Sequence, residues 1–352
     1  MNSKNDLNDK FISFLDQTKN EEHKEVTRLN DRVLIIDGLN TFIRGFAVNP
    51  ALNDDGLHIG GLIGFLRSIR YTCDILKPSR CIIVFDGKGG SPKRRKIYPE
   101  YKANRKVKSK LNRNVDWGTA PQDEQESMKQ QMGRLIDYLE QLPLTLISID
   151  NVEADDVIAY LSQNIFEREV IIMSADQDFL QLVNDRIVVW SPNKRKYYTK
   201  EQIMTEYGIP AHNFLMYKCL LGDKSDNLEG IKGLGAKKMA KVIPEITGKE
   251  LNLEYLVHYA TTQDTLMHKR IVESKSNLEI NEKMMSLKDP LISGNIKMQI
   301  NDLSSHPMNL LHRNDFVMLY NSDYMGNNLQ NPDIWLTENF LKLNNLAKIT
   351  HE

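Results

Sequence analysis

Cysteine is scarce. Cys73, Cys81 and Cys219 are the only three in 352 residues, and no CxxC pair occurs among them. An odd, scattered set argues against a disulfide framework or a structural zinc module and points to a reducing compartment. Long apolar runs are also missing. Nothing approaches the roughly 18 consecutive apolar residues that a bilayer span requires, and the polar stretch Met1–Asn30 holds no apolar core of the kind a signal peptide carries. A soluble, cytoplasmic protein is expected. An excess of charge of one sign is absent too, since 46 Lys and Arg stand against 47 Asp and Glu.

That balance hides an uneven distribution. Between Ser91 and Lys110 lie nine basic residues, among them Arg94, Arg95, Lys96, Lys102 and Arg105, and one acid, Glu100. The rest of the chain is acidic, so a concentrated cationic patch sits in an otherwise anionic protein. Hydrophobic residues make up 41% and charged ones 26%, enough for a sizeable core.

Val33–Asp37, Cys81–Asp86, Leu144–Ile149, Val170–Ser174 and Ile187–Trp190 are short, mostly β-branched apolar runs. Such runs read as parallel strands covered on both faces. Helical spacing separates them, as in Ile59, Leu62, Ile63, Leu66 and Ile69. The expected fold is α/β: a parallel-sheet core over residues 31–199, interrupted by a basic, arch-like insertion at 87–130 that is too long for an ordinary connection. Short helices predict a smaller helical domain over 200–290. Residues 1–30 and 291–352 read as terminal extensions, the latter expected to pack on the helical domain.

Acid collects where these strands end. Asp37 closes the first strand and Asp86 the second; Glu153, Asp155 and Asp156 follow the third, and Asp176 and Asp178 the fourth. Strand C-termini of a parallel sheet gather at one edge, where open α/β folds place their sites. Two carboxylates ~4 Å apart repel by about 4 kcal/mol even at an effective dielectric of 20, so such a rim must bind protons or cations. The donors are all oxygen, which favours Mg²⁺ or Mn²⁺ over Zn²⁺. Asp223 and Asp226 in GDKSDN add a further pair.

The segments IIDGLNTFIRGF, VFDGKGG, YPEYKANR, VEADDVIA, SADQDFLQLV and GDKSDNLEGIKGLGAKKMAKVI resemble, in order, the motifs of the 5′ nuclease superfamily, which includes flap endonucleases, the 5′-nuclease domain of bacterial DNA polymerase I and phage 5′→3′ exonucleases. WSPNKRKYY and the size of the chain resemble most the ribonuclease H of T-even-like bacteriophages. The likeness covers residues 32–290.

The resemblance implies nine metal-site acids, at Asp37, Asp86, Glu153, Asp155, Asp156, Asp176, Asp178, Asp223 and Asp226, holding two Mg²⁺ with Mn²⁺ as a substitute. Lys102 enters from the arch with Tyr101 beside it and Arg105 a turn further on. Lys102, Arg105, Asp176 and Asp178 are the implied catalytic residues. Arg94, Arg95, Lys96, Tyr101, Lys102, Arg105, Gly230, Gly233, Gly235, Lys237 and Lys238 are the implied DNA contacts, the last five in a helix-hairpin-helix that is also a site for K⁺. The implied enzyme is a monomeric 5′→3′ exonuclease and flap endonuclease with ribonuclease H activity. It would remove RNA primers and 5′ flaps during lagging-strand synthesis by two-metal hydrolysis, on nicked or branched duplexes and RNA–DNA hybrids, in the host cytoplasm if phage-encoded. The alternative to packing for the C-terminal region is a docking peptide for a single-stranded-DNA-binding protein. An inactive fork-junction scaffold and a PIN-type single-strand ribonuclease are the alternatives.

Overall fold

The computed structural model of the chain describes residues 28–103, 111–115 and 121–351. β1 (Arg32–Asp37) sends Val33 and Ile35 to one face of the sheet and Leu34 and Ile36 to the other, and all four are fully buried. A strand covered on both sides has no solvent face to populate, which is why its sequence shows no polar alternation. Asp37 ends β1 and caps α1 (Gly38–Val48), accepting from the Asn40 N–H. α2 (Gly60–Leu76) leads into β2 (Arg80–Asp86). α3 (Pro92–Ile97) then begins the basic segment, capped by Ser91 with Pro92 at its first position.

α4 (Pro121–Glu140) precedes β3 (Thr145–Ile149), and α5 (Ala154–Tyr160), prolonged by a π-helical turn over Leu161–Ile165, precedes β4 (Glu169–Met173). β5 (Ile187–Ser191) and β6 (Lys196–Tyr198) close the sheet as a hairpin. Strand order is β3-β2-β1-β4-β5-β6, parallel except for β6. The order reverses between β1 and β4, which opens a crevice at their carboxyl ends. All five expected strands occur within one residue of their expected limits.

The following region is helical: α6 (Lys200–Tyr207) and α7 (Phe214–Leu221), a two-residue ladder of β7 (Gly222–Asp223) and β8 (Leu228–Glu229), then α8 (Ala236–Val242), α9 (Leu253–Thr261), α10 (Leu266–Glu273) and α11 (Lys275–Met285). Its apolar side chains join the sheet face that holds Val33 and Ile35, in one cluster that continues through Leu256 and Ile271 to Ile300.

The C-terminal residues differ from expectation. α12 (Gly294–Ser305) adds Ile300 to that cluster, and the chain then crosses the exposed edge of β3, where Asn309 N–H donates to the Leu144 carbonyl at 3.2 Å. α13 (Arg313–Ser322) and α14 (Pro332–Ile349) lie on the opposite face, with Phe316, Trp335, Leu336, Phe340 and Leu343 buried against Leu34, Ile36 and Leu66. The tail therefore packs on the α/β core and not on the helical region. The reason is apolar area: α2 and α4 present Leu66, Ile69, Leu135 and Leu139, and the tail is what buries them. Trp335 stacks on Phe316 at 5.6 Å between ring centroids.

Among the described residues no helix is long and apolar enough to cross a membrane. Phe340→Ala should cost about 3–5 kcal/mol in a urea titration, by cavity formation, whereas Leu341→Ala, at a position 47% exposed, should stay within about 0.5 kcal/mol of the parent.

Candidate active site

The carboxyl ends of β1 and β4 meet at the crevice. Asp37 is 6% exposed, and its second oxygen accepts from Ser174 Oγ at 2.9 Å. Ser174 Oγ in turn accepts from the Asp176 N–H at 3.0 Å, and Asp176 caps the next turn by accepting from the Asp178 N–H at 2.8 Å. One hydroxyl thus sets the spacing of two acids on neighbouring strands. Asn40 adds a second tie, its Oδ1 accepting from the Ala175 N–H. At the end of β2, Asp86 accepts from the Ala154 N–H at 2.8 Å and so caps α5, the helix that carries Asp155 and Asp156.

The crowding shows in proton affinity. Burial, with the charges of Asp176 and Asp86, pushes the Asp37 carboxyl up to about 7. Burial and Asp176 raise Asp178 to about 7 as well, although Lys218 opposes them. Asp155 rises well above the ordinary carboxyl range through burial and the neighbouring Asp176 and Asp37. Glu153 goes the other way. Burial would raise it, but Arg94 and Lys102 outweigh that and hold it low.

Among the described residues three cations offset this charge. Lys218, on α7, reaches Asp178 at 2.9 Å and Asp223 at 3.0 Å. Lys102 Nζ donates to Glu153 at 2.8 Å, from a residue held in the left-handed backbone region at φ 58°. Arg94 is buried, and its guanidinium grips both oxygens of Asp156, at 2.5 and 2.9 Å, and one of Glu153 at 3.1 Å. Its Nε donates to the Met284 carbonyl at the end of α11.

Three expectations are corrected here. Arg94 is no DNA contact, because its donors are consumed inside the protein, and Asp156 is no open ligand, because Arg94 takes both its oxygens. Tyr101 is likewise only 6% exposed, with its hydroxyl donating to Glu153, so its ring is not offered for stacking. Arg95 and Lys96 do face solvent. Arg105 lies outside the described residues.

The turn holding Asp223 and Asp226 is stapled to the base of the insertion. Lys102 N–H donates to the Asp226 carbonyl at 3.1 Å, Tyr98 hydroxyl to the Asn227 carbonyl at 3.1 Å, and Asn227 Nδ2 to the Glu100 carbonyl at 3.1 Å. Beyond it, Gly230 is required by packing, since a Cβ there would lie 2.1 Å from the Leu221 carbonyl. Gly233 has φ +86° and turns the hairpin. Gly235 is extended at φ −111° with open space around it, so neither backbone conformation nor packing requires a glycine at that position. Lys237 and Lys238 are exposed at the start of α8.

Sequence reasoning missed Ser174, Asn40 and Lys218. Only Lys218 left a signal, as the lone charge in the apolar helix FLMYKCLL. The donor set suits hard divalent cations: oxygen only, with three carboxyls driven toward protonation for want of positive charge. Among the described residues no three of His, Cys, Asp and Glu converge closely enough to hold one ion, and Glu153, Asp156, Asp178 and Asp223 are instead paired with Lys102, Arg94 and Lys218.

Arg94→Met should lower stability by about 3–5 kcal/mol, the cost of leaving buried acids unpaired, without changing the salt dependence of DNA binding. Arg95→Ala should do the reverse, reducing the salt slope by about one counterion; denaturant and salt titrations of both variants check the pair. In EDTA, folded Asp37 and Asp178 keep protons up to about pH 7 that unfolded carboxyls release near 3.8. The folded state binds more protons across that window, so metal-free stability should fall as pH rises through it. Thermal melts in EDTA between pH 5 and 8 read this, and Asp155→Asn should raise the melting temperature at the upper end.

A family model described as the 5′-3′ exonuclease, N-terminal resolvase-like domain matches residues 32–208. A 5′-3′ exonuclease of Aquifex aeolicus (strain VF5) is 28% identical over 280 residues, spanning 76% of this chain and 91% of that protein. One from Bacillus subtilis (strain 168) is 28% identical over 269 residues, 73% of this chain and 83% of the relative. Among solved structures, the bacteriophage T5 flap endonuclease in a pseudo-enzyme-product complex with DNA and metal ions superposes with a TM-score of 0.61 at 18% identity, covering 82% of this chain and 99% of that one, a likeness of fold. Since the family match runs from the first residue of β1 to the glycine that ends α6, through every strand of the sheet and its acidic rim, the chain belongs to the 5′→3′ exonuclease family of nucleases.

Proposed function

We propose that the chain is a Mg²⁺-dependent, structure-selective 5′ nuclease. Its substrates are 5′ flaps, nicked duplexes and RNA–DNA hybrids, and its task is removal of RNA primers and flaps in lagging-strand replication. One observation carries this reading: the acids of four strand ends and the Asp223–Asp226 turn share a single rim, and that turn is hydrogen-bonded to the base of the basic insertion through Lys102, Tyr98 and Asn227. Carboxylates are thereby set beside the segment best suited to attract phosphate.

Asp37, Asp86, Glu153, Asp155, Asp176, Asp178, Asp223 and Asp226 are the residues that would hold divalent ions. Bound there, two ions supply positive charge to an in-line attack at phosphorus and make water a better nucleophile at neutral pH. The protein's own parts do the rest. Lys102, 24% exposed, paired with Glu153 and lying over the Tyr101 ring at 4.7 Å, can trade that carboxylate for a substrate phosphate and steady the charge that develops there. Arg95 and Lys96 attract the strand entering the insertion. Lys237 and Lys238, with the backbone of Gly233, grip duplex phosphates without reading sequence, and K⁺ at the hairpin would serve the same contact. A single-stranded-DNA-binding partner would have to read the exposed face of α14, at Ile334 and Leu341, because Trp335 and Phe340 are buried.

A 5′-labelled flap, a nicked duplex and an RNA–DNA hybrid, each with Mg²⁺ and with EDTA, test the proposal. Cleavage in Mg²⁺ that requires a free 5′ end is expected, while binding without cleavage would overturn it. Asp176→Ala should abolish turnover yet retain duplex binding. Lys102→Ala should slow the single-turnover rate by about 10²–10³-fold at saturating enzyme, with a much smaller change in affinity.

A further inference from the structure

At the opposite end of the sheet, where the strands begin, lies a cavity of about 680 Å³ whose lining includes Asn30, Arg80, Asn164, Phe166, Arg168 and Asn301. It is separated from the carboxylate rim by the length of β1, about 17–20 Å at the usual rise per strand residue. Its volume falls within the range of about 300–1,000 Å³ typical of small-molecule sites.

Arg80 is the notable group. It opens β2 and is 3% exposed, yet among the described residues no carboxylate pairs with it. Its Nη2 donates to the His306 carbonyl at 3.0 Å and, at 3.4 Å, to Thr145 Oγ1, and its Nε has no hydrogen-bond partner among the described residues. A guanidinium has five N–H donors, and burying one without a counter-charge is expensive. Arg94 provides the contrast within the same molecule, as an equally buried arginine saturated by Asp156, Glu153 and a carbonyl. Burial accordingly lowers Arg80 to about 10, with no acid opposing it.

The lining adds a second unmet group of the opposite kind, since Asn30 Oδ1 is a buried acceptor without a donor among the described residues. Arg168, beside it, is 65% exposed and pairs with Asp31 at 3.1 Å. Asn164 and Asn301 bring exposed carboxamides, Phe166 an apolar wall, and Glu167 the acid on the lining. A ligand that meets all of this carries an anionic oxygen group for the arginines and a hydroxyl donor for Asn30. It is also larger than a bare oxyanion and has a flat apolar portion.

We propose that this cavity binds a nucleoside 5′-monophosphate, with the phosphate on Arg80 and Arg168 and a sugar hydroxyl donating to Asn30. The site is distinct from the acidic rim and does not depend on the chain's nuclease chemistry.

Isothermal titration calorimetry on the full chain in EDTA, which removes metal-bridged binding at the rim, tests it with adenosine 5′-monophosphate, cytidine 5′-monophosphate, adenosine and inorganic phosphate. At least one nucleotide should bind saturably at one site per chain, and at least tenfold more tightly than either adenosine or inorganic phosphate. Asn301→Asp and Arg168→Glu, both at exposed positions, should weaken that binding tenfold or more, and Arg80→Met should abolish it. Because Arg80→Met removes a buried side chain, its melting curve is measured alongside, and the two surface variants decide the matter if it does not fold. Asp176→Ala should bind the nucleotide as the parent does. The assignment is overturned if neither nucleotide gives a saturable heat, if inorganic phosphate binds equally well, if the surface variants bind as the parent, or if Asp176→Ala removes the binding.

Discussion

Like charge confined to one edge of a sheet is the constraint from which the rest of this architecture follows. A parallel sheet delivers its strand ends to one side, and here those ends and the helix turns beside them carry Asp37, Asp86, Glu153, Asp155, Asp156, Asp176 and Asp178. Left alone they would repel or take up protons, as Asp37, Asp155 and Asp178 do. The surrounding elements are placed so as to supply cations: Arg94 from α3, Lys102 from the segment after it, and Lys218 from α7. Each cation also serves as a tether. Arg94 ties the start of the insertion to α5 and α11, and Lys218 ties the helical region to Asp178 beyond the end of β4. Packing of the helical region and neutralisation of the rim are accomplished by the same contacts.

The three cations differ in how far they can leave. Arg94 is buried and gives its donors to two carboxylates and a carbonyl, so it is a permanent part of the fold. Lys218 is divided between two acids from different elements and is 14% exposed. Lys102 is the most exposed of the three and holds a single carboxylate. A gradient from fixed to exchangeable charge therefore runs toward the opening of the site. Under the proposed metal-dependent reading, the lysines are the charges that entering divalent ions would release from the acids toward a phosphate, while Arg94 would keep Asp156 and Glu153 in place.

Much of this was legible in the sequence because the sheet is buried on both faces. Runs such as VLIID and CIIVFD admit no other common reading, and the acids closing them fall at known strand ends, so the rim followed from the strands. What was not legible depends on side-chain direction. Arg94, Arg95 and Lys96 are indistinguishable as a basic run, yet a six-residue helix turns the first inward and the other two outward. Gly230, Gly233 and Gly235 likewise read as one motif, although one is fixed by packing, one by a positive φ and one by neither. Ser174 gave no warning at all, because a hydroxyl bridging two acids from adjacent strands is a product of register.

The tail shows the same limit at larger scale. Trp335, Phe340 and Leu343 are apolar residues that call for burial, and sequence proximity favours the helical region as their partner, but a helix packs wherever apolar area is left uncovered. The helical region already buries one face of the sheet. The other face, with α2 and α4, lacks an outer layer, and the chain reaches it by crossing the unpaired side of β3. That crossing answers two needs, since it covers an edge strand that would otherwise offer itself to another chain and closes the second core. It also sets His306 beside Arg80 and α12 beside the start of the sheet, so the cavity there exists only because the tail took this path.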